Sequence, residues 1–174
     1  MEKILILTVI VFIKNIVPVH AANQINNYAN EISFINAGKN ICRSINDSIE
    51  NINIRAVRHF LLSYGEAAAP KWSEVRDKGY MCTFFLNGTL NRSYYDINGR
   101  WQCTIATYQE PQLPKSIRQI VKQVYYDYAI SYVNEISLAE NRTVYVVQVQ
   151  DEKKLKILRI ADDQMEVVEE IEKW

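Results

Sequence analysis

Two stretches of the chain carry apolar residues at the spacing of a helix that buries one side. In residues 57–64 and again in residues 117–124, apolar side chains occupy positions i, i+3, i+4 and i+7. Asn53 is a favourable residue for capping the start of the first helix, and Pro114 is well tolerated where the second begins, because its missing N–H is not needed there. The sequence therefore predicts two amphipathic helices of about three turns each.

The segments that follow the two predicted helices repeat one another. The helical patterns are offset by 60 positions, which aligns Trp72 with Tyr132, whereas the alternating runs at residues 80–84 and 145–149 are offset by 65. Alternation with a period of two is typical of strands that bury one face, and an insertion between strands is expected in a loop. Residues 53–108 and residues 109–174 are thus each predicted to form a helix followed by four short strands.

One unit of this kind is too thin to bury much apolar surface by itself. We therefore expect an α+β fold in which the two tandem units share one antiparallel sheet of about eight strands, with both helices on one face. Asn87-Gly88 lies between two alternating runs and is the strongest hairpin signal in the chain. A two-residue turn at this point pairs Tyr80 with Tyr95 and Thr83 with Arg92.

The N-terminal region differs in composition from the rest of the chain. Residues 1–21 combine Lys3, an apolar run and small residues near Ala21, which predicts a cleaved secretory signal peptide. A membrane anchor is the alternative, but the apolar run is much shorter than the roughly 20 residues that span a bilayer. Residues 22–52 are rich in Asn and have no counterpart in the repeat, so we interpret them as a leader without an assigned fold.

Charge and residue types narrow the classes of function. The 174 residues include 20 Lys and Arg against 20 Asp and Glu, which argues against a nucleic-acid-binding protein. After removal of the predicted signal peptide, His59 is the only histidine, and local motifs for a nucleophile with its base, for zinc or for a phosphate are missing. We interpret Asp162-Asp163 as a turn and expect no catalytic residue, no metal and no cofactor.

The three cysteines do not predict a disulfide within the sheet. Cys82 belongs to the second predicted strand and Cys103 to the fourth, so the intervening strand separates them by about 9 to 10 Å. We expect both side chains to be buried on the helix-facing side of the sheet. Cys42 is left as a free thiol or as a partner for another chain.

The helix-free face of the predicted sheet carries an unusual mixture of side chains. A solvated sheet face normally carries plainly polar residues, whereas here aromatic, aliphatic, Arg and Gln side chains are mixed, as in protein-binding surfaces. Strand propensity and cross-strand pairing are the alternative explanation for the same residues. The candidate binding residues are Met81, Thr83, Phe85, Arg92, Tyr94, Gln102, Thr104, Val146, Gln148 and Arg159.

Several segments together resemble one family of exported bacterial proteins. The first helix, the strand with Trp72, the run at residues 79–88 and the hairpin at residues 94–101 resemble the beta-lactamase-inhibitor-like, PepSY-like family, and residues 113–118 resemble the start of its second unit. The resemblance implies tandem units with a shared antiparallel sheet, a periplasmic or secreted location, no cofactor and no established activity. Beta-lactamase inhibitor protein binds through its open sheet face, but its repeats contain disulfides whose paired cysteines this chain lacks.

These features lead to one leading hypothesis of function and two alternatives. The leading hypothesis is an exported, non-enzymatic protein whose helix-free sheet face binds another protein, with a hydrolase or peptidase as the partner to test first. The first alternative is a structural envelope protein that forms a homodimer through the same face. The second is a sensor of a metal or small ligand in the cell envelope.

Overall fold

A computed structural model describes residues 51–75 and 78–173. The predicted signal peptide, Cys42 and nearly all of the predicted leader lie outside these ranges. Within them the chain forms two α-helices and eight strands. The elements are α1 (Ile54–Ser63), β1 (Ala68–Val75), β2 (Gly79–Leu86), β3 (Thr89–Tyr95), β4 (Trp101–Tyr108), α2 (Lys115–Val124), β5 (Ala129–Leu138), β6 (Thr143–Gln150), β7 (Lys154–Ala161) and β8 (Gln164–Glu172).

The eight strands form one antiparallel sheet in which each strand pairs with the next along the chain. The predicted α+β class and the number of strands are therefore confirmed. The turn Asn87-Gly88 joins β2 to β3 with positive φ at both residues, as a two-residue hairpin turn requires. The predicted pairs Tyr80 with Tyr95 and Thr83 with Arg92 are both formed.

The start of α1 is held by side chains and by the turn between β3 and β4. Asn53 caps the helix, and its Oδ1 accepts a hydrogen bond from the Arg55 N–H at 3.0 Å. Its Nδ2 donates to the Ile97 carbonyl at 3.4 Å. Gly99 lies so close that a Cβ atom there would be 2.8 Å from Asn53 Oδ1, so α1 can begin at this point only because residue 99 has no side chain.

Each helix packs on its own cluster of side chains. α1 contributes Ala56, Val57 and Phe60 to a cluster with residues of β1 to β3, and α2 contributes Ile117 and Val121 to a cluster with residues of β5 to β7. The pairing register places both clusters on one face of the sheet, because the row from Phe84 of β2 to Ile160 of β7 runs through directly paired residues. The opposite side of the sheet is called the distal face below.

The predicted offset of 60 between the helices is wrong by one residue. The first residues of α1 and α2 are 61 positions apart, and the N–H of Tyr64 and of Tyr125 ends the respective helix. Leu61, which the pattern placed on the buried stripe, is 61% exposed. The helical spacing allows an apolar stripe on α1 that includes Leu61 and another that includes Ala56. Only packing against the sheet decides which of the two is buried.

The face assigned to β4 is also wrong, for a different physical reason. Tyr94 pairs with Cys103 but Tyr95 pairs with Trp101, so β4 contains one extra residue at this point, Gln102. Since neighbouring side chains of a strand point to opposite faces, the extra residue exchanges the faces of the residues after it. Cys103 therefore lies on the distal face and Thr104 on the helix-covered face, the reverse of the prediction.

Candidate functional site: the distal face of the sheet

The register brings eight of the ten predicted binding residues onto the distal face. Those of β2 and β3 are directly opposed, since Met81 pairs with Tyr94 and Thr83 with Arg92. The others belong to β6 and β7. Together the eight are Met81, Thr83, Phe85, Arg92, Tyr94, Val146, Gln148 and Arg159. Gln102 falls at the register shift and Thr104 lies on the other side.

The sequence prediction missed the middle of this face. Cys103, Ile105, Asn134 and Ile136 come from β4 and β5 and join the two predicted groups. They are all buried, and Ile136 is only 2% exposed. Asn134 Oδ1 accepts a hydrogen bond from the Thr107 hydroxyl at 2.9 Å. The alternation of β5 carries the signal for Asn134 and Ile136, whereas Cys103 needs the extra residue Gln102 to be known.

Arg92 places a positive charge on the distal face. It is half-buried between Thr83 on β2 and Ile105 on β4, and within the described residues its guanidinium forms no ion pair. Burial raises the pKa of the neighbouring Tyr94 hydroxyl to about 12, an effect that the positive charge of Arg92 opposes. The face therefore presents a positive charge next to a neutral phenol.

Arg159, on the other side of the face, has a carboxylate partner. Its Nη1 donates to Glu166 Oε1 at 2.8 Å, and Glu166 is its cross-strand neighbour on β8. Its Nε is buried and forms no hydrogen bond within the described part of the chain. The charge of Arg159 is thus already balanced inside the sheet, in contrast to that of Arg92.

His59 lies on the helix-covered side, away from the distal face. Its Nδ1 is 3.2 Å from the Tyr95 hydroxyl, its Nε2 is 3.4 Å from the Ser63 hydroxyl, and its ring stacks on Trp101 with the centroids 5.7 Å apart. Burial lowers its pKa below the usual 6.5. These contacts place the imidazole in the packing between α1 and the sheet.

Small and polar residues separate the two core clusters on the helix-covered face. Thr104 Oγ1 lies at the centre, with hydrogen bonds to the Tyr64 hydroxyl at 2.7 Å, to Ser93 Oγ at 3.0 Å and from Trp101 Nε1 at 3.0 Å. We call this strip the polar seam. It consists of Asn91, Ser93, Thr104, Ala106, Glu135 and Ser137, which neither cluster includes. The sequence prediction missed it, although its polar residues interrupt the apolar positions of β3, β4 and β5.

Asp162 and Asp163 both have positive φ and form the two-residue turn between β7 and β8, as predicted. Among residues 51–75 and 78–173, His, Cys, Asp and Glu side chains form no group of three or more that could hold a metal ion. No helix in these ranges has the length and apolar character needed to cross a bilayer.

The fold, but not the sequence, matches known proteins. No family model matches the chain, and no curated protein matches it. A DUF2874 family protein from Bacteroides ovatus is similar with a TM-score of 0.59 and 14% identity, over 71% of this chain and 89% of that one. A BLIP-like protein from Bacteroides fragilis has a TM-score of 0.58 and 18% identity, over 70% and 86%.

A third similar structure is described as a periplasmic protein, from Bacteroides eggerthii. It has a TM-score of 0.56 and 15% identity, and the match covers 70% of this chain and 88% of that one. The predicted periplasmic or secreted location agrees with this description. At these identities the likeness shows a shared fold, and it includes the BLIP-like fold that the sequence resemblance implied.

Proposed function

We propose that this chain is an exported, non-enzymatic protein that binds another protein through the distal face, in the periplasm or outside the cell. The observation that carries the proposal is the half-buried guanidinium of Arg92, which has no carboxylate partner within the described residues. The shared fold with a BLIP-like protein and with a protein described as periplasmic adds support.

The partial burial of the Arg92 charge favours binding to a partner that carries an opposite charge. A charge that is partly removed from water is unfavourable unless an opposite charge compensates it. On one side of Arg92 lies Tyr94, the cross-strand partner of Met81. On the other side lies Phe85, two residues beyond the Thr83 that pairs with Arg92. Aromatic residues and Arg contribute most to the binding energy of protein interfaces. The surface therefore fits a partner that presents an acidic side chain within an apolar patch.

A hydrolase or peptidase is the partner class to test first. The reason is the analogy with the BLIP-like fold, which supports a protein partner in general and does not identify an enzyme. The PepSY-like assignment rests on the sequence resemblance alone. Under this proposal the distal face would cover the partner's substrate cleft, and the acidic side chain that Arg92 meets would lie at its rim.

We also infer that the two halves derive from one duplicated unit. The helices begin 61 positions apart, and beyond the loop after β5 the equivalent residues are 65 positions apart. Cys82 and Val147, which are separated by 65, are the direct partners of Trp72 and Val133 in the strands before them. A duplication explains why two units with separate core clusters share one sheet.

The proposal can be tested by affinity capture with matched variants. Residues 22–174 would be immobilised and exposed to periplasmic extract, and bound proteins would be quantified by mass spectrometry. We expect a specific hydrolase or peptidase to be retained, and its retention to fall at least about tenfold with Arg92→Ala or Phe85→Ala. Arg58→Ala is the control, because Arg58 is exposed on α1 and lies on the other side of the sheet.

Two results would contradict the proposal. Equal retention by Arg92→Ala, Phe85→Ala and the control Arg58→Ala would show that the distal face does not bind the partner. A dimer that light scattering detects in the purified chain, and that Arg92→Ala dissociates, would favour the homodimer instead. Circular dichroism melting of each variant shows whether a loss of binding reflects a loss of fold.

A further inference from the structure

The polar seam contains a carboxylate whose surroundings the proposed function does not use. Glu135 is on β5, on the helix-covered face, directly between Ala106 of β4 and Tyr145 of β6. It is half-buried, and no Lys, Arg or His within the described residues forms an ion pair with it. A carboxylate in such a place normally has a basic partner, because partial burial of a lone charge is unfavourable.

Two tyrosines flank this carboxylate. The Tyr108 hydroxyl donates a hydrogen bond to Glu135 Oε2 at 2.5 Å, and Tyr145 is the cross-strand neighbour of Glu135. Burial raises the pKa of Tyr108, and the hydrogen bond to the Glu135 carboxylate and its charge raise it further. Burial and the same charge also raise the pKa of Tyr145. Both phenols therefore stay neutral at physiological pH, next to one negative charge.

Small side chains of the polar seam lie on two sides of Glu135. Ala106 and Ser137 are small, and Ser137 pairs with Thr104 in the next row. The large core side chains belong to the two clusters under α1 and α2, which have no residue in common. The carboxylate thus lies on a floor of small side chains between the two helix-covered clusters.

We propose that the Glu135 carboxylate, flanked by Tyr108 and Tyr145, is a binding site for an organic ammonium group. The carboxylate supplies the opposite charge, and the faces of electron-rich rings attract a cation within about 6 Å of the ring centre. A hydrated metal ion fits less well, since one carboxylate and two neutral phenols offer too few oxygen ligands to replace its water. The site is independent of the distal face, which lies on the other side of the sheet.

The experiment uses small ammonium probes with residues 22–174. The amide signals of Ala106, Glu135 and Tyr145 would be followed by heteronuclear NMR at pH 7 during titration with propylammonium chloride and with tetramethylammonium chloride. Sodium chloride at the same ionic strength is the salt control. We expect saturable shifts at these three residues with the ammonium salts and none with sodium chloride.

Variants separate the roles of charge and ring. Glu135→Gln keeps an acceptor for the Tyr108 hydroxyl but removes the charge, so we expect affinity to fall at least about tenfold, whereas Tyr145→Leu should weaken it about threefold. Glu140→Gln, in the exposed turn after β5, should bind like the unchanged chain.

Three outcomes of the titration would overturn the proposed ammonium site. Absence of saturable shifts, equal shifts with sodium chloride, or full affinity in Glu135→Gln would each exclude the site. If Glu135→Gln fails to fold, Tyr145→Leu decides, because unchanged affinity after removal of that ring would also exclude it.

Discussion

The hydroxyl of Tyr64, at the end of α1, lies 2.7 Å from Oγ1 of Thr104 in the middle of β4. The same oxygen of Thr104 also bonds Ser93 and Trp101, so one side chain connects a helix and two strands. Thr104 is therefore part of the support of α1 and has no place in the distal surface. In the polar seam, hydrogen bonds hold the helix on the sheet, as apolar contacts do in the two clusters.

Loss of this hydroxyl should destabilise the fold. In Thr104→Val the shape of the side chain is kept, but Ser93, which is fully buried, loses a partner. We expect the free energy of unfolding to fall by about 1 to 3 kcal/mol, measured by urea denaturation. Thr83→Val, on the distal face, is the control and should change it by less than about 0.5 kcal/mol. Equal effects of the two changes would show that the seam contributes little stability.

Gly99 and Gly88 have nearly the same φ angle but different surroundings. The φ angle is +75° at Gly99 and +76° at Gly88, yet only at Gly99 would a Cβ atom meet other atoms, with Ala56 N at 2.9 Å. Gly88→Ala should therefore cost about 1 kcal/mol through backbone strain alone. Gly99→Ala should cost at least about 2 kcal/mol more, because the start of α1 must move. Similar melting temperatures for the two variants would contradict the packing of α1 on this turn.

Stability should depend on pH through His59. Burial lowers the pKa of His59 in the folded chain, so the folded state favours the neutral imidazole. The stabilisation is fully present above pH 6.5 and is lost as the pH falls through the lowered pKa of the folded state. The ring is surrounded by Tyr95, Ser63 and Trp101, and within the described residues no carboxylate bonds to it.

The measurement compares urea midpoints at pH 7.5 and pH 5.5. We expect the chain with His59 to be less stable at pH 5.5 than at pH 7.5, and His59→Gln to lose distinctly less stability between these values. An identical loss in both chains would assign the pH dependence to other groups.

The two described cysteines should be unreactive in the folded chain. Burial raises the pKa of Cys82 and of Cys103 to about 12 each, so almost no thiolate is present at neutral pH. They are free and lie on opposite faces of the sheet, which prevents a disulfide between them. N-ethylmaleimide at pH 7.5 should label both only after denaturation in urea, as mass spectrometry of peptides will show. Rapid labelling of Cys103 in the native chain would contradict the burial of its thiol.

The parts of the fold that follow from the sequence are those with a local cause. Asn87-Gly88 determines the β2–β3 hairpin because both turn residues need positive φ, and the register of the two strands then follows from the length of the turn. The cap at Asn53 and the strand count have equally local signals. For this reason five predicted residues of β2 and β3 lie together on one face.

Only the tertiary structure decided the faces of β4 and the position of the polar seam. The extra residue Gln102 has no local signature, yet it exchanges Cys103 and Thr104 between the faces because side chains alternate with a period of two. Glu135 likewise reads as a solvent-exposed strand residue until pairing places it between Ala106 and Tyr145. Sequence patterns determine what each segment forms, whereas the contacts between segments distant in the chain determine which side chains meet.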